Sequence, residues 1–313
     1  MTVIRYPADF NSGDVYVDLR ASVGIPLFLK CEGFNFARSI KLKAATEMVV
    51  GAEERGVLRP GMTIVESSSG NLGVALSMLA ASRGYRFICV TDVRCTVSSR
   101  RMMEALGAQV HLVTEPKADG GFLAARIDHV RELCAGDPDI LWLNQYRNPD
   151  NWGAHYRRTG PEILAAFPEL EIVFVGAGTT GTLMGCARYF RDQGRAVTVV
   201  AIDVAGSVTF GGDSGVRMIP GLGTGVRPEQ LDESCVDDVV IVEERETVAM
   251  CRELASRGFV FGGSTGTVVS GARRWLAEHR PGADVTAVAM APDFGCSYLD
   301  TVYNDDWVRT LPE

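Results

Sequence analysis

From residue 60 onward, the chain alternates short apolar runs with longer amphipathic segments. The apolar runs predict strands at residues 63–66, 87–91, 110–113, 140–143, 172–175, 197–202, 239–242 and 285–290. The amphipathic segments predict helices, among them residues 71–83, 98–106, 121–134, 183–191, 247–257 and 267–278. Glycine follows several of these helices, as helix C-termini favour. This alternation predicts an α/β fold in which parallel sheets are covered by helices on both faces.

The number of predicted strands exceeds the usual size of a single sheet, so we expect two sheets. The alternating pattern breaks at Asn148-Pro149-Asp150-Asn151, just before a new helix, and this break is the predicted domain boundary. The longest loop candidate is the glycine-rich stretch 206–225. Loops of that length are often functional.

Composition argues against several kinds of partner. The 39 acidic and 31 basic side chains give a net charge of −8 without blocks of like charge, so a non-specific nucleic-acid or anionic-membrane surface is not expected. No stretch approaches the ~18 apolar residues of a membrane span, and the first residues lack the apolar core of a signal peptide. The eight cysteines lack C-x-x-C spacing, which predicts reduced core residues and no metal site. We therefore expect a cytoplasmic protein.

Three predicted strands end in turns rich in glycine, serine and threonine, at residues 67–73, 176–182 and 262–267. In open α/β sheets, ligands bind at the carboxyl ends of strands, where helix N-termini attract anions. The middle turn contains Gly176-x-Gly178-x-x-Gly181, but it lies late in the chain and has only Asp203 as a candidate ribose ligand, which disfavours dinucleotide binding. The turns therefore favour a small phosphorylated cofactor.

Lysine chemistry has only four candidates, Lys30, Lys41, Lys43 and Lys117. We interpret Ser39 as the N-cap of a helix that begins at Ile40, which places Lys41 in its first turn. The positive end of the helix dipole should lower the pKa of the Lys41 amine and favour imine formation. The alternative is a solvated surface lysine.

Four segments, in order along the chain, are similar to motifs of one family. These are Ser39-Ile40-Lys41, a Schiff-base lysine segment; 66–76, a substrate and cofactor loop; 178–182, a phosphate cup; and 263–266, a pyridine-nitrogen loop. Together they resemble the fold type II pyridoxal-phosphate enzymes, the cysteine synthase group, from about Gly24 to Asp293.

The resemblance implies a tryptophan synthase β-like fold with two open, twisted, mostly parallel sheets and pyridoxal 5'-phosphate in the cleft between two domains. The expected large, cofactor-binding domain comprises residues 1–45 and 149–313, and the small, mobile substrate domain comprises residues 46–148. A homodimer acting on small amino-acid substrates is also expected.

Further segments resemble the 2,3-diaminopropionate branch of this group, the N-(2-amino-2-carboxyethyl)-L-glutamate synthases. They are residues 115–127, which include Asp119, and residues 142–146, 151–156 and 206–211. This resemblance implies β-replacement on O-phospho-L-serine by L-glutamate through an aminoacrylate, for a siderophore or peptide antibiotic. The chain departs from the cysteine synthases at Ile25, Leu42-Lys43, Ser67 and Leu72, which leaves the nucleophile open. The alternatives are a sulfur nucleophile, as in cysteine synthesis from O-phosphoserine or O-acetylserine, another nucleophile, or a catalytically silent regulator.

The resemblance also implies site residues. The catalytic residue is Lys41, which would hold the cofactor and move protons. The cofactor-binding residues are Lys41, Asn71, Gly178, Thr179, Thr180, Gly181, Thr182 and Ser264. The substrate-binding residues are Ser68, Ser69, Asn71, Gln145, Arg126 and Tyr146.

Ser264 bears on the reaction type. A neutral hydroxyl beside the pyridine nitrogen leaves that nitrogen largely unprotonated, which favours loss of a β-leaving group over transamination. Three other assignments have simple structural alternatives: Gln145 as a strand-end amide, Arg126 on a solvated helix face, and Tyr146 as a buried aromatic. An arginine fork suits the phosphate or second carboxylate that such a reaction must bind.

Overall fold

The computed structural model describes residues 3–118 and 120–312, so Asp119 lies outside the described residues. The strands are β1 Tyr16–Asp18, β2 Phe28–Cys31, β3 Thr63–Ser67, β4 Arg86–Asp92, β5 Gln109–Val113, β6 Ile140–Trp142, β7 Ile172–Gly176, β8 Thr198–Val204, β9 Asp238–Val242 and β10 Ala287–Ala291. The α-helices are α1 Leu19–Val23, α2 Lys41–Glu54, α3 Asn71–Arg83, α4 Val97–Ala105, α5 Gly121–Gly136, α6 Pro149–Ala154, α7 Gly160–Ala166, α8 Gly181–Asp192, α9 Glu244–Ser256, α10 Gly263–His279 and α11 Asp305–Val308. A π-helical turn, His155–Thr159, joins α6 to α7.

The strands form two sheets. The larger has the order β1-β2-β10-β7-β8-β9, in which only the β1–β2 pair is antiparallel, and the smaller has the order β5-β4-β3-β6 with every pair parallel. The prediction of two mostly parallel sheets is therefore confirmed. All eight predicted strands are present, with ends shifted by up to two residues. Strands β1 and β2 were missed because they precede the region of clear alternation.

Both faces of each sheet are buried, as parallel sheets require. In β7, Ile172 and Phe174 belong to one apolar cluster, and Val173 and Val175 belong to the cluster on the other face. This follows from the two-residue period of a strand, which sends successive side chains to opposite faces. In the smaller sheet, the neighbours Ile64 and Val65 likewise lie in different clusters.

The smaller sheet is built from residues 63–142, and the larger from residues 16–31 and 172–291. The carboxyl ends of strands from both sheets lead into loops that line one cavity between them. Loop 206–225 lies on the same cavity and holds no helix or strand, as predicted. Among the described residues, no helix combines the length and apolar character needed to cross a membrane.

Candidate active site

The cavity between the sheets has a volume of about 160 Å³. It is lined by every residue that the sequence predicts for the site. These are Lys41, Ser68, Ser69, Asn71, Arg126, Gln145, Tyr146, Gly178, Thr179, Thr180, Gly181, Thr182 and Ser264. Residues more than 200 positions apart in the chain are thus brought to one place by the carboxyl ends of parallel strands.

Lys41 is the first residue of α2, but Ser39 is not its cap. The N-cap is Ile40, and the Ser39 hydroxyl is buried without a hydrogen-bond partner among the described residues. Tertiary contacts explain the error: Ser39 pairs with Asp293 in an isolated bridge, and the Ile40 amide donates to Pro292 O at 2.8 Å. The predicted N-cap and the helix start at Ile40 are therefore wrong.

The Lys41 amine reaches the cavity and is not a solvated surface group. Among the described residues it makes neither a hydrogen bond nor an ion pair, and desolvation lowers its pKa to about 8. The negative charge of Glu66 opposes that shift. Burial is the largest cause of the lowered pKa, and the contribution of the helix dipole stays a prediction.

The turn between β7 and α8 forms an anion cradle. Thr180 is in the left-handed region with φ 64°, and the first amides of α8 have no partners within the helix. A Cβ on Gly178 would lie 2.8 Å from Gly221 O, so glycine permits the close approach of these two loops. Backbone amides and the positive helix end therefore face the cavity, which suits a phosphate.

The threonine hydroxyls of this turn are themselves held by the protein. Thr179 Oγ1 accepts a hydrogen bond from Asn151 Nδ2 at 3.0 Å, and Thr180 Oγ1 donates to Thr179 O at 2.7 Å. Thr182 Oγ1 lies 3.2 Å from His155 Nε2. The hydroxyl proton of Thr180 is engaged in this conformation, so its backbone amide is the better donor to an anion.

Asn71 begins α3 and donates from Nδ2 to Asp293 Oδ2 at 2.8 Å. Tyr298 donates to the same oxygen, whereas Asp293 Oδ1 is buried without a partner among the described residues. Burial raises the pKa of Asp293 to about 6. Asp293 was not among the residues predicted from the sequence, although its place two residues after the buried strand β10 was a usable signal.

The Ser68 hydroxyl accepts hydrogen bonds from the amides of Gly70 and Gly73, at 3.2 and 2.9 Å. Its own proton remains free to be donated into the cavity. Gln145 Nε2 donates to Ser67 O at 2.8 Å, so the amide group is oriented by the end of β3. These contacts fix two of the predicted substrate-binding side chains.

Glu66 is a second residue that the sequence analysis missed. It is fully buried, and its carboxylate accepts hydrogen bonds from Trp142 Nε1 at 3.0 Å and from the backbone amide of Gln145 at 3.1 Å. Burial raises the pKa of this carboxyl to about 7, although these donors oppose the shift. Glu66 thus ties the end of β3 to the turn after β6, where Asn144 has a φ of 56°.

Arg126 lies in the cavity wall and not on a solvated helix face. Its side chain is 5% exposed, with Nε 3.2 Å from Asp92 Oδ2. Arg126 Nε and Nη1 nevertheless have no hydrogen-bond partner of good geometry among the described residues. Nearby Tyr146 is partly exposed to the cavity; burial raises the pKa of its hydroxyl, and the Arg126 charge opposes that shift.

Ser264 lies in the first turn of α10 and is buried. A Cβ on Gly221, whose φ is 116°, would come within 2.4 Å of Ser264 Oγ. The absence of a side chain at Gly221 therefore leaves the hydroxyl accessible from the cavity. Among the described residues, Ser264 Oγ has no hydrogen-bond partner.

These residues fit pyridoxal phosphate. The cavity offers one primary amine with a lowered pKa, a glycine-shaped cradle of amides for a phosphate, and a neutral hydroxyl and an amide for the ring. Within residues 3–118 and 120–312, no group of three or more His, Cys, Asp or Glu side chains is placed to hold a metal ion.

Comparison with known proteins agrees with this fit. The family model of pyridoxal-phosphate dependent enzymes matches residues 16–293. The N-(2-amino-2-carboxyethyl)-L-glutamate synthase of Ralstonia nicotianae is 38% identical over 287 residues, covering 91% of this chain and 84% of that protein. The protein of the same name from Cupriavidus metallidurans is 36% identical over 291 residues, with the same coverage. The crystal structure of O-ureido-L-serine synthase has a TM-score of 0.80 and 36% identity, covering 91% of this chain and 92% of that chain. The chain therefore belongs to the family of pyridoxal-phosphate dependent enzymes.

Proposed function

We propose that the protein joins O-phospho-L-serine to L-glutamate, forming N-(2-amino-2-carboxyethyl)-L-glutamate and phosphate. The Cβ–O bond breaks with its electron pair leaving on phosphate, and the glutamate nitrogen forms a bond to Cβ and releases a proton. The observation that carries the proposal is one cavity that holds a lysine amine of lowered pKa, a turn suited to an anion and a buried arginine. The product would serve 2,3-diaminopropionate synthesis for a siderophore or peptide antibiotic.

The cofactor supplies a carbonyl carbon that takes the substrate amine and a ring that delocalises the electron pair left at Cα. Lys41 would hold the cofactor and then move the Cα proton, because its lowered pKa makes the free amine available near neutral pH. Ser264 would face the pyridine nitrogen, and Asn71 the ring oxygen. The amides of 178–182 would hold the cofactor phosphate.

Ser68, Ser69, Asn71 and Gln145 would bind the carboxylate of the serine substrate. The Ser68 hydroxyl can donate its proton to that carboxylate, because it accepts in both of its hydrogen bonds with backbone amides. The Gln145 side chain donates to Ser67 O, and its backbone amide donates to the Glu66 carboxylate. Side chains held in this way would fix the orientation of the bound serine substrate, so that its Cα–H bond points toward Lys41.

Arg126 would bind the phosphate or the second carboxylate, with Tyr146 shaping the same part of the cavity. The buried guanidinium of Arg126 has two nitrogens without well-oriented partners among the described residues, and Asp92 lies beside its Nε edge alone. Unpaired donors in a buried site are costly until an anion arrives. The arrangement therefore supports an anionic ligand at this end of the cavity.

An amine nucleophile is favoured over sulfide. The two curated relatives are named for a glutamate-derived product, and O-ureido-L-serine synthase is named for another serine derivative. A cationic cavity also matches a nucleophile with two carboxylates better than it matches sulfide. Cysteine synthesis remains the reaction against which the proposal is tested.

We also propose the domain division at residues 1–45 with 149–313 and 46–148, a mobile small domain, a homodimer and a cytoplasmic location. The division is supported by the smaller sheet, whose strands all fall within 63–142.

The test measures phosphate release with O-phospho-L-serine and glutamate, sulfide or no nucleophile, and identifies the product by mass. We expect sustained release only with glutamate, together with the coupled product. O-acetyl-L-serine in place of the phosphoester identifies the leaving group. Sustained turnover with sulfide and none with glutamate would replace this proposal by cysteine synthesis.

A further inference from the structure

Two arginines that the sequence analysis did not single out reach the same cavity as Arg126. Arg94 follows the end of β4 in the smaller sheet, and Arg217 lies in loop 206–225, after β8 of the larger sheet. The cavity thus has cationic side chains contributed by elements of both sheets.

Among the described residues, the three arginines of the cavity do not each have a carboxylate of their own as ion-pair partner. Asp92 pairs with Arg94 through two contacts, Nε to Oδ1 at 3.0 Å and Nη2 to Oδ2 at 2.9 Å, and the same carboxylate is 3.2 Å from Arg126. One carboxylate therefore serves two guanidinium groups. Arg217 forms no ion pair within the described residues, and Nη1 donates to the carbonyls of Gly206 and Thr224.

The positive charge of Arg94 acts on Arg217. Burial lowers the pKa of Arg217, the charge of Arg94 lowers it further, and the more weakly acting carboxylates of Asp203 and Glu244 oppose the shift. Two like charges held in a partly buried cleft repel, and an anion between them relieves that repulsion. The carbonyl contacts fix Arg217 through Nη1 and leave its other nitrogens without hydrogen-bond partners among the described residues.

We propose that Arg94 and Arg217 form the subsite for a carboxylate of the incoming nucleophile, and so select an amino acid with two carboxylates. The inference rests on the proposed function and specifies its second substrate class. Arg126 is the deeper group, with a side chain 5% exposed, whereas the Arg94 side chain is 29% exposed and thus nearer the solvent from which the nucleophile arrives. A carboxylate bound between Arg94 and Arg217 would also link the loops of the two sheets.

The probe is glutarate, a dicarboxylate without an amine, which can occupy the subsite but cannot react. Its affinity for the holoenzyme is measured by calorimetry for wild type, Arg217→Gln, Arg94→Gln and Arg217→Lys. The matched control is Arg227→Gln, since Arg227 follows the same loop, is exposed and pairs with Glu233 outside the cavity. We expect the Kd to rise about tenfold or more in both glutamine variants, as loss of a charge-assisted contact predicts, with a smaller rise in Arg217→Lys and none in the control.

Kinetics supply a second readout. The KM for glutamate should rise in parallel with the glutarate Kd, and by a larger factor than any fall in the rate of the single burst of phosphate released without nucleophile. Unchanged glutarate affinity in Arg217→Gln would overturn the inference. Loss of bound cofactor from that variant, seen by absorbance, would also overturn it, because Arg217 would then belong to the cofactor phosphate.

The two proposals fail in distinguishable ways. If wild type makes no coupled product with glutamate but binds glutarate in an Arg217-dependent manner, the proposed reaction is wrong and the dicarboxylate subsite stands. If wild type makes the product yet does not bind glutarate, the subsite is wrong and the reaction stands.

Discussion

Lys41 and Lys43 lie two residues apart on α2, and their replacement by methionine should have opposite consequences. Lys43 is 1% exposed, and its Nζ lies 2.9 Å from Glu32 Oε1 and 2.5 Å from Glu162 Oε2. Lys30 contacts the same two carboxylates, so two lysines and two glutamates form one cluster that is buried except for Glu162, whose side chain is 27% exposed. Lys41 has no such partner among the described residues.

Removal of Lys43 leaves two carboxylates with one lysine in a buried site. Breaking a buried pair by deleting one partner costs about 3–5 kcal/mol, and we expect the lower end because Lys30 still contacts both Glu32 and Glu162. For a chain of 313 residues, a loss of ~3 kcal/mol corresponds to a fall in Tm of roughly 5 °C. Removal of Lys41 deletes an amine whose protonation burial already disfavours, so the Tm of the cofactor-free protein should change little or rise.

The assay combines thermal unfolding of the cofactor-free proteins with borohydride reduction of the cofactor-loaded ones. Lys43→Met should melt early yet carry the reduced cofactor on Lys41, and Lys41→Met should melt normally and carry none. Lys117→Met is the control for a lysine on the surface, where it pairs with Asp128, and should change neither result. An unchanged Tm in Lys43→Met, or label on Lys43 in wild type, would refute this reasoning.

Three further predictions follow from the site. The rate of cofactor attachment to the cofactor-free protein should rise with pH with a midpoint near pH 8 and level off only above it, because the pKa of Lys41 is lowered to about 8. Glu66→Gln should move this midpoint lower, since it removes the charge that favours the ammonium, and an unmoved midpoint would exclude that coupling. Arg126→Ala should reduce kcat/KM by about ten- to a hundredfold without weakening cofactor binding, because it removes a charge-assisted contact worth ~1.5–3 kcal/mol. Single-turnover kinetics would assign the loss to the phosphoserine step or to the glutamate step. Unaltered kinetics in both steps would contradict the role given to Arg126. Ser264→Asp should increase conversion of the cofactor to pyridoxamine phosphate, measured by absorbance. An unchanged yield would show that Ser264 does not determine the type of reaction.

The fold was predictable because the signal is local. Each central strand is a short apolar run, and helix α3 was predicted with the bounds that the structure shows, Asn71–Arg83. The assembly of the site was also predictable, because parallel strands bring their carboxyl ends to one edge.

The parts that sequence reasoning missed depend on contacts between distant segments. Serine is a common N-cap residue, but Ser39 forms an isolated bridge with Asp293 and does not cap α2. Glu162, one of the two carboxylate partners of Lys43, and Asp293, which holds Asn71, each lie more than 100 residues away in the chain, on elements whose packing no local pattern specifies. Arg217 likewise comes from an irregular loop, whose path is set by carbonyl contacts and not by a periodic pattern.

In the proposed reaction, this cavity joins a serine-derived three-carbon unit to the nitrogen of glutamate. A competition experiment tests this directly: the holoenzyme is supplied with O-phospho-L-serine, ¹⁵N-labelled glutamate and sulfide together, and the products are identified by mass spectrometry. We expect N-(2-amino-2-carboxyethyl)-L-glutamate with the label in the bridging nitrogen, formed by wild type and absent with Lys41→Met. Cysteine as the only new amino acid, with all of the label left in free glutamate, would contradict the proposed reaction.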